Sequence, residues 1–339
     1  MRRVLLLATK DVIAYRRRPG NAGVATAAEL LATVPAARAS ASDPASALAA
    51  ASDLGARVEA EDVMAEPGWD MEPTTMLMLA RRARSALADE GYAGVVVTHG
   101  LDTIEDTAYL TDLLAGPAAG RGGIVLTGAT RALDDPDTDG PANLAAALTA
   151  AADPATAGLG AVVCLDGELH AARWVTLADA LNRPALTSAP HAPVARVRGG
   201  RVERLAAPPP RPPAPTGIPD TNVTLIKVYP GIDPILLTTA ADAGARGIVL
   251  EGTGLYNVPA SLLAAISDLT EWDIPVVIAS RSRVPDAELA LLPAGNGLAA
   301  GVGAIGSRGL PAGKARAALM VALSTSGGVA AARKWFASL

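Results

Sequence analysis

Aromatic side chains are scarce in this chain: they make up 3% of its 339 residues, and Phe336 is the single phenylalanine. A core short of large rings has to be filled by Ala, Val, Leu and Ile, as in helices packed on buried parallel strands. Cys164 stands alone, which excludes an intramolecular disulfide and a paired-cysteine metal site. Its apolar surroundings, residues 160–165, read as those of an inert buried thiol. Three histidines, His99, His170 and His191, are too few for a His-rich metal centre. Neither sign of charge dominates: 34 acidic and 29 basic residues leave a formal −5, which gives no basis for a nucleic-acid partner. The densest basic run, Arg16-Arg17-Arg18, reads as a solvated loop. No stretch is long and apolar enough to span a bilayer. The basic Met1-Arg2-Arg3 precedes an apolar run too short for a signal peptide, with no small-residue cleavage site after it. The expectation is a cytoplasmic protein without membrane contact.

The length suits two domains, each with its own core. Apolar runs at 4–8, 94–98, 123–127 and 161–165 are bounded by polar or Gly-rich turns and read as buried strands. Helical spacing fills 74–90 and 102–114, and 141–152 opens on Pro141, a residue suited to a first helical turn. Strand alternating with helix predicts right-handed crossovers and a doubly wound, mostly parallel sheet. Ligands bind beyond the C-terminal strand ends of such sheets, where the loops 9–15, 99–102 and 128–131 would gather. Residues 206–219 hold Pro208-Pro209-Pro210, Pro212-Pro213 and Pro215, a density that denies backbone donors and marks a linker. After it the alternation restarts, with strands at 224–228, 247–250 and 275–279 and helices at 233–243, 260–270 and 312–325. A last short helix ends in Trp335 and Phe336. The predicted division is a larger α/β domain over 1–205, a linker over 206–219 and a smaller α/β domain over 220–339. The Ala/Ser tract 36–51 reads as a surface helix without chemistry.

The segment Thr98-His99-Gly100-Leu101-Asp102-Thr103-Ile104-Glu105-Asp106-Thr107-Ala108-Tyr109 stands at a strand end opening a helix. It is similar to the THGTDTMEETA signature of the bacterial L-asparaginases. Leu126-Thr127-Gly128-Ala129-Thr130-Arg131 resembles that family's VGAMR, and Asp139-Gly140-Pro141-Ala142-Asn143-Leu144 its DGPxNL. Residues 7–14, LATKDVIA, lie where the family has LATGGTIA. Pro230-Gly231, Glu251-Gly252-Thr253-Gly254 and Ser282-Arg283-Val284-Pro285 match motifs of its smaller domain. The likeness covers nearly the whole chain and implies an asparaginase-like fold.

The resemblance also implies chemistry, position by position. The family attacks a side-chain amide with a Thr, moves protons with a Thr, Lys and Asp, and steadies the oxyanion with backbone amides. Here the attacking Thr is matched by Val12, the second Thr by Leu101 and the Lys by Leu177. The Ser that helps hold the substrate carboxylate is matched by Gly68, beside Trp69. An Asn given by a neighbouring subunit aligns with Leu255 or Tyr256. Of the proton-handling trio only Asp102 is retained; the resemblance gives it the substrate amino group, while its place before a helix equally suits a cap. Two glycines of TGGT are replaced by Lys10 and Asp11, read either as an ion pair plugging the site or as a new acid/base pair facing Asp102.

Three readings stand at this level. The leading one is an enzyme repurposed for a less polar small molecule. Asp102, Lys10 and Asp11 would be its acid/base groups, and Thr9, Val12, Trp69, Leu101, Leu177 and Tyr256 would line its pocket. The second is a catalytically silent homologue that binds a ligand or a subunit. The third is an atypical asparaginase or glutaminase drawing on Thr9, Thr103 or Thr130. His99, in a tight turn, reads as hydrogen-bonded scaffolding, as do His170, Arg173 and Trp174. No cofactor and no metal site is expected. The resemblance implies a homo-oligomer, dimer or tetramer, with sites near the subunit interface.

Overall fold

The apolar run Val4–Ala8, close behind two arginines, is stable as a strand only where both of its faces are covered. In the computed structural model, which describes residues 2–18, 20, 22–34, 56–64, 67–284, 286–325 and 327–339, this run lies in strand β1 (Arg2–Thr9), buried from Val4 onward. The Ala/Ser tract 36–51 lies outside the described residues. The chain divides into two units, Met1–Pro209 and Pro210–Leu339, and the division falls inside the proline-rich stretch.

In the first unit β1 pairs in parallel with β2 (Ala56–Met64) on one edge and with β3 (Gly94–Thr98) on the other. Strands β4 (Gly123–Thr127) and β5 (Ala161–Leu165) continue the parallel ladder beyond β3. The predicted strands 94–98, 123–127 and 161–165 are these three. Beyond β5 the sheet turns antiparallel through β6 (Glu168–Ala171), β7 (Ala195–Arg198) and β8 (Arg201–Arg204). The resulting order is β8-β7-β6-β5-β4-β3-β1-β2. Mostly parallel strands with helices between them make this the α/β fold that the sequence predicts. The antiparallel extension and β2 were not foreseen, for a common reason. They lie at or toward the sheet margins, where charged side chains such as Arg57, Glu59 and Glu61 interrupt the apolar pattern and blunt the edge.

Helices α2 (Pro73–Ala88), α3 (Ile104–Ala115) and α4 (Gly140–Ala152) follow where the periodicity places them, and a short helix, α1 (Ala27–Leu31), precedes them unforeseen. Helix α1 starts on a capping box in which Thr26 and Glu29 satisfy each other's backbone donors. Proline occupies the first turn of α2 and of α4, where a missing N–H costs nothing. The small core suits the poverty in aromatics: Leu144, Ala147, Leu148, Ala150 and Ala151 of α4 lie on Val96, Val125 and Val162. Packing with Ala on the helix and Gly on the strand brings backbones together closely. At Gly94 an added Cβ would stand 2.0 Å from the carbonyl oxygen of Ala151.

The second unit is a four-stranded parallel sheet in chain order: β9 (Val223–Lys227), β10 (Gly247–Gly252), β11 (Val276–Ser280) and β12 (Ile305–Gly306). Its helices are α5 (Ile235–Asp242), α6 (Leu263–Glu271), α7 (Ala312–Ala322) and α8 (Gly328–Phe336). The core joins Leu237, Ile248, Leu250, Ile266, Leu269 and Ile278, with Phe336 buried in the same unit. Among the described residues, no helix is long and apolar enough to cross a membrane.

The Gly94 contact yields a test. Gly94→Ala is expected to destabilise the protein by about 1–3 kcal/mol through overpacking. Gly120→Ala, where an added Cβ meets nothing within 4 Å, should stay within roughly 0.5 kcal/mol of wild type. Urea unfolding of the two variants beside wild type checks both.

Candidate functional site

Strand order reverses at β1, with β2 on one side and β3 on the other, so the loops leaving β1 and β3 part company at the C-terminal strand ends, the place where doubly wound sheets form a crevice. The strand ends are tied together there. The backbone N–H of Thr9 donates to the Thr98 hydroxyl oxygen (2.9 Å), and the Thr9 hydroxyl donates to the Thr98 carbonyl (2.5 Å). Just beyond, Asp11 caps the short turn Val12–Ala14, its Oδ1 accepting from the N–H of Val12 (2.6 Å). The same carboxylate is only 1% exposed, and its Oδ2 accepts from the N–H of Gly68 in the turn Gly68–Asp70. Thr103, at the start of α3, donates its hydroxyl to the Gly68 carbonyl (2.6 Å). Three loops far apart in sequence are thus joined at one point.

Glycine is needed at two places in this joint for closeness rather than for backbone freedom. An added Cβ on Gly100 would stand 2.0 Å from Asp11 Oδ2, and one on Gly68 would stand 3.0 Å from both Asp11 Oδ2 and Gly100 Cα. The next loop closes in as well: a Cβ on Gly128 would meet the His99 carbonyl at 2.5 Å and Leu101 Cδ2 at 2.9 Å. Asp139 shapes that loop, accepting from the N–H and hydroxyl of Thr130, the N–H of Arg131 and the side-chain amide of Asn143. Asn143 also donates to the Gly128 carbonyl (3.0 Å) and accepts from the N–H of Asp166. The sequence motif containing Asp139 and Asn143 marked these residues, but their service as loop anchors is visible only in three dimensions.

His99 is fully buried beneath these loops. Its Nδ1 lies 2.8 Å from the Gly100 carbonyl, an acceptor, so Nδ1 carries the proton. Among the described residues its Nε2 is buried without a partner. Burial lowers its pKa, against the upward pull of that carbonyl and of the Asp11 and Asp102 charges, so the ring is neutral near pH 7.

The structure therefore assembles Thr9, Asp11, Val12 and Leu101 around the crevice, with Gly68 and Gly100 as the contacts that the side-chain reading passed over. The other predicted groups need correction. Among the described residues no ion pair joins Lys10 to Asp11; Lys10 is half-buried, while Asp11 turns inward onto backbone donors. Asp102 is not a helix cap: Thr103 holds that position, no side chain caps it, and Asp102 is exposed. Val12 leans on the hydrophobic core. Trp69 is 64% exposed, on the surface beside the joint. Leu177 lies half-buried in a small hairpin, opposite Leu186. Tyr256 lines no surface of its unit: it is 0% exposed, and its hydroxyl accepts from the N–H of Gly309 (2.7 Å). The scaffolding residues behave as expected, with His170 buried in β6 against the Ser188 hydroxyl (2.8 Å) and Trp174 stacked on His191 at 4.1 Å.

Two α/β units with mostly parallel sheets, and a reversal of strand order in the larger one, define a class; comparison with known proteins gives the family. A family model described as "Asparaginase, N-terminal" matches residues 3–210, and one described as "Glutaminase/Asparaginase C-terminal domain" matches residues 222–336. The chain belongs to the asparaginase/glutaminase family. A probable L-asparaginase of Deinococcus radiodurans is 33% identical over 263 residues, covering 76% of this chain and 79% of that protein. A subunit of the glutamyl-tRNA(Gln) amidotransferase of Methanopyrus kandleri is 33% identical over 244 residues, 66% of this chain. The match spans about half (52%) of the length of that relative. The crystal structure of a probable cytoplasmic L-asparaginase from Campylobacter jejuni superposes over the whole of both chains with a TM-score of 0.84 at 24% identity, a likeness of fold.

His170 gives a pH signature. Burial pushes its pKa down to about 4, against the usual 6.5. Between those values the unfolded chain carries the proton and the folded chain does not, so stability is constant above pH 6.5 and falls as pH drops through the window to about 4. The full loss from this one group is on the order of 3 kcal/mol. His170→Gln, denatured with urea across pH 4–7, is expected to show a correspondingly shallower acid limb than wild type.

Proposed function

We propose that this chain is a non-hydrolysing member of its family, a protein that binds a ligand or a partner chain without cleaving an amide. One observation carries the reading: among the described residues, the three threonine hydroxyls that could replace the nucleophile are all committed as hydrogen-bond donors. Val12 stands at the position of the family's nucleophile and offers only methyl groups. The hydroxyls of Thr9 and Thr103 donate to backbone carbonyls, and that of Thr130 to Asp139. The first two give their protons to fixed backbone acceptors, which cannot act as bases, and the Asp139 carboxylate that takes the Thr130 proton also holds the N–H groups of Thr130 and Arg131 and the amide of Asn143. Leu101 and Leu177 in place of the proton-handling Thr and Lys point the same way, since losing one member of such a set costs several orders of magnitude in rate. The amidotransferase component among the relatives gives a precedent for the family scaffold within an assembly. A cytoplasmic homo-oligomer with its sites near the subunit interface belongs to this proposal.

A second reading, the repurposed enzyme, draws on a different observation. Asp102 is exposed at the mouth of the loops and, among the described residues, its carboxylate accepts no protein hydrogen bond. Lys10 is half-buried on the neighbouring loop and equally without an ion pair among those residues.

The test is ammonia release from asparagine and glutamine by concentrated protein over long incubation, with Asp102→Ala prepared in parallel. Wild type and variant are both expected to match the buffer blank. Ammonia from wild type that disappears in the variant would overturn the proposal, while equal ammonia from both would mark a contaminating host enzyme.

A further inference from the structure

The Asp11 carboxylate is an anion in an unusual setting. It is almost completely buried, and among the described residues no cation pairs with it. Its partners are backbone N–H groups: Val12 on Oδ1 and Gly68 on Oδ2. A local cap accounts for the first bond, because a carboxylate before a short turn regularly takes the N–H of the turn. It does not account for the second, which reaches a loop 57 residues away. Nor does it account for the two glycines, 68 and 100, whose missing Cβ atoms leave room for the carboxylate and nothing more. Buried charges persist where fixed donors are already aimed at them.

We propose that the turns at Val12 and Gly68, roofed by Gly100, form a carboxylate-binding cradle, and that Asp11 is its tethered occupant. In the wild-type chain the cradle is closed to any free acid. With the Asp11 side chain removed it accepts a small monocarboxylate of one or two carbons, formate or acetate, whose two oxygens take the same two N–H groups. The inference deepens the proposed function and rests on it: a member of this family that fills part of its crevice with its own acid has no need to admit a substrate there.

The experiment compares wild type, Asp11→Ala and Asp11→Asn as full chains. Each is melted in increasing sodium formate or acetate and, separately, in sodium chloride of equal ionic strength. Asp11→Ala is expected to melt below wild type and to gain saturably in formate over chloride. The gain should be on the order of 3–6 °C when formate is about tenfold above its dissociation constant. Wild type and Asp11→Asn, whose cradles are filled, should respond to formate no more than to chloride. If Asp11→Ala does not fold unaided, refolding in formate against chloride gives the same reading through the folded yield: recovery in formate alone supports the cradle, and equal failure in both overturns it. A variant that treats formate as chloride, or a wild type that gains as much as the variant, overturns it too. Ammonia release from the same preparations separates this inference from the proposed function. A formate effect in the variant beside genuine wild-type hydrolysis would retain the cradle and discard the silent-protein reading. No ammonia and no formate effect would do the reverse.

Discussion

Strand β1 is hydrogen-bonded along both edges, to β2 and to β3, and the geometry of the larger unit follows from that double pairing. With β2 on one side of β1 and β3 on the other, the crossovers on its two sides diverge. The backbone groups of the loop after β1 and the loop after β3 need partners where they meet. The bonds there are Thr9 with Thr98, Asp11 with Gly68, Thr103 with Gly68. The crevice that would be a ligand site in any doubly wound fold is, in this chain, stitched by its own side chains.

That stitching bears on chemistry. Hydrolysis of an amide needs an attacking group held near a base, a route for protons, and room for the substrate. At this crevice the hydroxyls are engaged as structural donors, the neighbouring positions carry aliphatic side chains, and the histidine beneath is buried, neutral and tied to a backbone carbonyl. Asp102 faces outward. The scaffold around these positions is well knit: Asp139 and Asn143 fix the loop 128–131, and Leu101 packs on Gly128.

The sheet and its helices were largely legible in the residues. Uninterrupted apolar runs can be satisfied only as strands covered on both faces, and these gave β3, β4 and β5 at their observed limits. Proline placed the start of α4, and the proline-rich stretch contains the division between the units. Margins were less legible. Strand β2 carries Arg57, Glu59 and Glu61, so its pattern is that of a solvated edge, and the antiparallel strands after β5 are four residues long or less, below the length at which periodicity speaks.

The candidate site divides the same way. Sequence alone determined which side chains are available: Val12, Leu101 and Leu177 bring no reactive atom wherever they are placed, and Asp11 and Asp102 bring carboxylates. Which way each of them faces was decided by tertiary structure. Lys10 and Asp11 are adjacent, and adjacency invites an ion pair, yet the carboxylate goes to two backbone donors because Gly68 and Gly100 leave a space of its size beneath it. Tyr256 lies two residues after a glycine in a loop and looks available for stacking, yet it fills the smaller unit's core because a phenol there can bury its ring and still satisfy its hydroxyl with the N–H of Gly309. Composition fixes what a side chain can do, whereas its burial and its partners depend on segments distant in sequence, and these come together only when the sheet has formed.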